Sequence, residues 1–175
     1  ADITIITAGN LEQVVTAHGK LQPKEYVDVG VQVSGQIKKL YVHLGDEVKK
    51  GDLIAEIDPQ VYLSKVEGDR ARVKTLQAQI VQQEAQVKLA QLQFARNEKL
   101  LKTNAVSQDT YDSAKTSLQV AKAQKDALEA QLEEEQSTLQ GDQANLGYAK
   151  IYAPMSGTVV VADIKEGQTV NAVQS

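Results

Sequence analysis

Two histidines and two sets of carboxylates are the residues of this chain whose types could perform metal or acid–base chemistry. His18 and His43 stand far apart on β-patterned segments, with no spacing that would bring two imidazoles to one ion. Asp46 and Asp52 sit in glycine-marked turns, and Glu133, Glu134 and Glu135 read as helix surface. Neither set lies in an apolar setting that would raise a carboxyl pKa towards neutrality, as a general acid requires. There is no cysteine, which excludes disulfides, thiolate metal sites and thiol nucleophiles and leaves the redox compartment open. The chain has no Gly-rich phosphate loop with its Lys and Ser/Thr, and no Gly-x-Ser-x-Gly elbow. A net charge of −4 with no basic cluster argues against nucleic acid as a partner. The residues therefore predict no enzyme, no cofactor and no bound metal.

What remains is an organisation of the whole chain. Ser34-Gly35 is followed ten residues on by Gly45 and then Val48, and Ser156-Gly157 is followed at the same spacing by Gly167 and then Val170. Between the copies the period changes from that of short strands to that of helices, so a small β unit is split by an inserted rod. Four pieces follow: 1–24, 25–58, 59–148 and 149–175. The first alternates apolar and polar residues through Ile3, Ile5, Leu11, Val14 and Val15, and is expected to form strands of a sheet whose other members lie beyond Ser175. The second is dense in turns at Gly30, Gly35, Gly45 and Gly51, with Ile37, Leu40, Val42 and Leu44 expected on its inward face. The fourth returns to this pattern, with a strand expected from Val159 to Val161.

The third piece opens on Asp58-Pro59, read as an N-cap and first helical residue. Val66, Val73, Ile80, Val87, Phe94 and Leu101 then recur every seventh residue, with Tyr62, Leu76 and Ala90 in register beside them. The pattern stops at Lys102 to Val106 and resumes after Ser107, an expected N-cap. A second seam runs through Tyr111, Leu118, Lys125, Leu132, Leu139 and Leu146, with Ala114, Ala121 and Leu128 alongside and the Lys125 amine expected in water. Two helices of matched length joined by a short turn must run antiparallel. The fold class is thus elongated α+β. The scarcity of aromatics, with one Phe and no Trp, suits a thin structure rather than a broad core.

The run GDEVKKGDLIAEID and its second copy, SGTVVVADIKEGQTV, resemble the two halves of a biotinyl/lipoyl-type β-sandwich. Such a sandwich interrupted by an α-helical hairpin resembles the periplasmic adaptors, or membrane fusion proteins, of tripartite efflux pumps. TAHGKL, VDVGVQVSGQIKKL, GDEVKKGDLIAEIDP, AVSQ and IYAPMSG resemble most the branch serving ABC-type macrolide exporters. The resemblance implies a periplasmic protein attached to the inner membrane that links an inner-membrane ABC-type transporter to a TolC-like outer-membrane channel. It implies self-assembly into a six-membered ring, with the hairpins forming a tube. Residues 1–24 would then be a fragment of a β-barrel or membrane-proximal domain, and the chain part of a larger adaptor.

In that family an Arg, a Leu four residues on and a Ser seven after that meet the channel at the hairpin tip. Arg96, Leu100 and Ser107 have this spacing. A glutamine just after the second half-sandwich is implied as a gate in the ring's pore, and counting from GQTV places it at Gln174. Other readings stay open: an adaptor of a proton-driven pump or a type I secretion system, a structural coiled-coil tether, or a biotin or lipoate carrier. The carrier reading lacks the modifiable Lys on a turn between the halves, because the hairpin occupies that place. No apolar run approaches the ~20 residues of a membrane span. Nor does Ala1 open a signal peptide, so an anchor would have to lie elsewhere or be supplied by a partner.

Overall fold

In a computed structural model the structure is described for residues 13–19, 26–160 and 164–172. Three strands, β1 (Gly35–Leu40), β2 (Glu47–Val48) and β3 (Leu53–Ile57), precede two helices, α1 (Gln60–Lys102) and α2 (Gln108–Tyr148). Three more strands follow: β4 (Lys150–Tyr152), β5 (Gly157–Thr158) and β6 (Thr169–Val170). One sheet has the order β4-β3-β1-β6 and a second pairs β2 with β5, every pair antiparallel. Each sheet therefore contains strands from both sides of the helical insertion.

The two copies of the repeat are joined reciprocally. Gly35 and Gln36 pair with Val170 and Thr169, while Gly157 and Thr158 pair with Val48 and Glu47. One register becomes the other when shifted by the 122 residues that separate Ser34 from Ser156. The same shift maps the flanking bonds. The Gly45 N–H donates to Val159 O at 2.8 Å and the Gly167 N–H to Ile37 O at 2.8 Å. The Ser156 hydroxyl accepts from the Lys50 N–H and the Ser34 hydroxyl from the Ala172 N–H, both at 2.9 Å. Gly45 and Gly167 hold φ of 92° and 82°, a region costly for a residue with a Cβ, so glycine recurs there. Asp46 and Gln168 close the two turns by accepting from the His43 and Lys165 N–H groups.

The core is Val31, Val33, Ile37, Ile57 and Ala149, with Tyr62, Ile151, Ile164 and Val170 packed on it. Leu44, expected inside, is 69% exposed, because the turn closed by Asp46 carries it away from the sheet. Residues 13–19 are exposed and carry no regular secondary structure, so the expected strand does not run through Val14 and Val15; the rest of 1–24 lies outside the described residues. In the second half the strand is Gly157–Thr158, Val159 still exchanging hydrogen bonds with Gly45 and Asp46; Val161 lies outside the described residues.

α1 begins one residue later than expected. Pro59 occupies the N-cap position, while Asp58 Oδ1 still accepts the Gln60 N–H at 3.1 Å. The Tyr62 hydroxyl donates to Ser34 O at 2.6 Å, tying the root of α1 to the repeat. Contacts running from Lys65–Asp142 to Phe94–Tyr111 show α1 and α2 antiparallel along their length. At ~1.5 Å per residue the 43 residues of α1 extend roughly 65 Å.

Covered residues follow the predicted seam, but its companion series is not wholly apolar. On α1 it reads Tyr62, Asp69, Leu76, Gln83, Ala90 and Asn97. On α2 it reads Ala114, Ala121, Leu128, Glu135 and Asp142. Glu135, expected on the surface with Glu133 and Glu134, is in the seam near Arg72. Gln83 Nε2 donates to Ala121 O and Gln124 Oε1 at 3.0 and 3.1 Å. The Lys125 amine is paired with Glu129 Oε1 at 2.8 Å and Glu84 Oε1 at 3.6 Å rather than left to water.

A Cβ at Gly35 would lie 2.5 Å from Ile57 Cγ2, a fully buried methyl. Gly35→Ala is therefore expected to cost about 1–3 kcal/mol in urea unfolding through overpacking; an unchanged midpoint would show that the contact relaxes freely. Because Glu56 pairs with Lys150, replacing 60–147 by a short linker is expected to leave a folded, though less stable, β module. A product without dispersed amide resonances would show that the two halves do not suffice for each other.

Candidate functional site

The turn between the helices is built from local backbone chemistry. α1 ends with Thr103 as C-cap and Asn104 at φ 55°, a left-handed conformation that Asn tolerates better than most residues. The Ala105 N–H donates to Leu100 O at 2.9 Å and the Asn104 N–H to Leu101 O at 3.0 Å, the two bonds of a Schellman ending. Ser107, at φ −74° and ψ 159°, then caps α2, its hydroxyl accepting from the Thr110 N–H at 3.2 Å and lying 2.9 Å from Thr110 Oγ1. Lys99 and Lys102 in the last turn of α1 and Asp109 in the first of α2 complement the helix dipoles. Beneath them the rings of Phe94 and Tyr111 meet at 5.4 Å between centroids.

Arg96 and Leu100 lie one turn apart on α1, Arg96 exposed and Leu100 half-buried, and exposed Ser107 opens α2 across the turn. The Leu100 carbonyl serves the Schellman ending and the Ser107 hydroxyl serves the cap. Of the three side chains, the Arg96 guanidinium offers the most unassigned hydrogen-bonding capacity, with five N–H donors in a planar fork. Gln174 lies outside the described residues.

The turn carboxylates do structural work: Asp46 Oδ2 accepts the His43 N–H at 2.7 Å and Asp52 Oδ2 the Lys49 N–H at 2.8 Å. His18 and His43 are exposed and on separate segments. Among the described residues no three His, Asp or Glu side chains are grouped to hold a metal ion, and no helix is long and apolar enough to cross a membrane.

The family described as RND MFP, barrel-sandwich hybrid domain, matches residues 25–175. The chain belongs to the RND membrane fusion proteins. Among curated members it is 44% identical over 173 residues to the pyoverdine export membrane fusion protein PvdR of Pseudomonas aeruginosa, covering 99% of this chain and 44% of PvdR. It is 42% identical over 170 residues to the macrolide export protein MacA of Escherichia coli O157:H7, covering 97% of this chain and 46% of MacA. The chain thus spans less than half the length of these membrane fusion proteins. The crystal structure of MacA from Actinobacillus actinomycetemcomitans superposes with a TM-score of 0.80 at 41% identity, over 85% of this chain and 46% of that one.

Ser107→Ala is expected to lower stability by about 1 kcal/mol in chemical denaturation, whereas Ser107→Asp, which can still accept the Thr110 N–H, is expected to keep it. Equal losses in both variants would show that the hydroxyl acts otherwise than as a cap.

Proposed function

We propose that this chain is the hairpin and split-sandwich part of a periplasmic adaptor, a non-enzymatic protein that joins an inner-membrane ABC-type exporter to a TolC-like outer-membrane channel. The observation carrying this reading is the placement of an exposed Arg96 and Ser107 at the free end of a rod roughly 65 Å long whose other end is held by both repeats. Membership of the membrane fusion proteins and the export roles in the names of PvdR and MacA support it.

In this reading the split sandwich is lipoyl-like, and copies associate side by side. A heterologous contact that closes on itself yields a ring, for which six members are proposed. The hairpins then form a tube. Arg96 makes charge-assisted bonds to carbonyl or carboxylate groups of the channel tip, Leu100 adds a small apolar contact, and the short Ser107 side chain lets the two surfaces approach. Gln174 is proposed as the gate of the ring's pore. Energy for transport comes from ATP hydrolysis in the partner exporter.

A proton-driven partner is the second reading, favoured by the RND label of the family. The resemblance of TAHGKL, GDEVKKGDLIAEIDP and IYAPMSG to the branch serving ABC-type macrolide exporters favours the first. A carrier role fits less well, because the connection from β3 to β4 is the hairpin itself, not a short turn that presents a lysine.

In the full-length protein, Arg96→Asp and Ser107→Arg are each expected to abolish export and co-purification of the outer-membrane channel while leaving the helical circular dichroism intact. Ser107→Ala, which loses the cap without adding bulk, separates folding from contact. Normal export by Arg96→Asp would overturn docking through this residue.

A further inference from the structure

Near the root of the hairpin the seam carries carboxylates where apolar residues would be expected. Asp69 of α1 and Asp142 of α2 have side chains only 4% and 8% exposed, and Glu135 of α2 lies close by at 19%. Two cations face them, both from α1. Lys65 Nζ is 2.9 Å from Asp142 Oδ1, and Arg72 Nη1 is 3.6 Å from both Asp69 Oδ1 and Glu135 Oε1. From α2, Asn145 Nδ2 donates to Asp142 Oδ1 at 3.3 Å.

These partners serve one oxygen of each aspartate. Asp69 Oδ2 and Asp142 Oδ2 are out of solvent and have no hydrogen-bond donor, and the same holds for Glu135 Oε1 apart from its ion pair with Arg72, although the two aspartate carboxyl groups lie within hydrogen-bond reach of one another. An ionised carboxylate is only an acceptor, so two ionised groups would leave both oxygens orphaned and like charges opposed. Three carboxylates against two cations also leave the cluster one negative charge in excess. A single proton removes all three faults: one carboxyl becomes a donor, the other accepts, and the charges balance.

We propose that Asp69 and Asp142 hold one shared proton across the seam, making the hairpin root a latch that is held while the pair keeps that single proton and loosens as pH rises through the Asp69 titration. Two carboxylates sharing a site titrate as a pair with separated values. Burial, and then the adjacent Asp142, hold the Asp69 carboxyl above the ordinary aspartate range, while the hydrogen bond from Lys65 holds Asp142 below it despite its burial. The rod is only two helices thick, with water within about 10 Å on every side, so these effects are moderated.

The two shifts act in opposite directions on stability. Asp69 binds its proton more tightly folded than unfolded, so its contribution is fully present below the ordinary aspartate value and is lost as pH rises through its raised pKa. Asp142 contributes above the ordinary value, and that contribution is lost as pH falls through its lowered pKa. The root is held best between the two titrations. The proposal goes beyond the adaptor reading and does not depend on it.

The test is a pH titration of side-chain carboxyl carbons by NMR on the whole chain, with urea unfolding at each pH. Asp69 is expected to titrate above, and Asp142 below, the ordinary aspartate value. The urea midpoint of the parent chain is expected to fall as pH rises through the Asp69 titration, and that of Asp69→Asn to stay level there. Two carboxyls titrating together at the ordinary value would overturn the proposal, as would an unaltered pH dependence in Asp69→Asn. Should Asp69→Asn fail to fold, the carboxyl titration of the parent chain decides alone.

Discussion

Everything in this molecule depends on the reciprocal exchange of backbone hydrogen bonds between the two copies of one short motif. Neither copy can satisfy its own strands: β1 needs β6 on one side, β5 has β2 as its partner, and the Gly45 and Gly167 turns each donate into the other half. Strands of two residues are far too short to stand alone. Reciprocity supplies the missing partners, and the chain segment between the copies is thereby required to leave and return at one place.

That requirement makes an insertion into a rod. The Ile57 N–H donates to Ala149 O at 2.7 Å and the Asp58 N–H to Gln36 O at 2.9 Å, so the last residues before α1 and the first after α2 belong to one hydrogen-bonded framework. Ala149 is itself core, 1% exposed, and Tyr62 packs on the same cluster. Direction is therefore imposed at the root, while cohesion along the rod comes from the seam. Each fully covered apolar residue there is worth ~1.5–3 kcal/mol, less where a two-helix rod leaves a flank wet. No third layer exists in the hairpin to correct an error in register, so the seam must specify its own.

The repeat, the heptads and the break after Lys102 were all legible in the residues because they are periodic, and periodicity survives without coordinates. Glycine at 45 and 167 was legible for a different reason, since a positive φ leaves few alternatives. What was not legible depended on distance. Leu44 looks like a strand residue until the Asp46 turn is known, and Glu135 looks like surface until Arg72 is seen across the seam. The polar members Asp69, Gln83 and Asn97 stood at countable positions from Tyr62, but a search for apolar residues passes over them. At the tip, the spacing of Arg96, Leu100 and Ser107 and the capping role of the Ser107 hydroxyl were readable, whereas the hydrogen bonds that occupy the Leu100 carbonyl were not.

Those polar seam positions bear on how the tip is presented. A purely apolar heptad seam tolerates sliding by whole repeats, because one Leu layer resembles the next. Gln83, with the Ala121 carbonyl and Gln124, and Asp142, with Lys65, each have partners at only one register. A slip would leave these groups buried without partners, at about 1–3 kcal/mol apiece. The polar layers therefore act less as a source of stability than as marks that fix α1 against α2, a use best attested for buried polar residues in coiled coils. Since Arg96 is on one helix and Ser107 opens the other, their relative height is set by that register. The residues that hold the tip's proposed contact surface in shape thus lie well down the rod, among groups with no part in that contact.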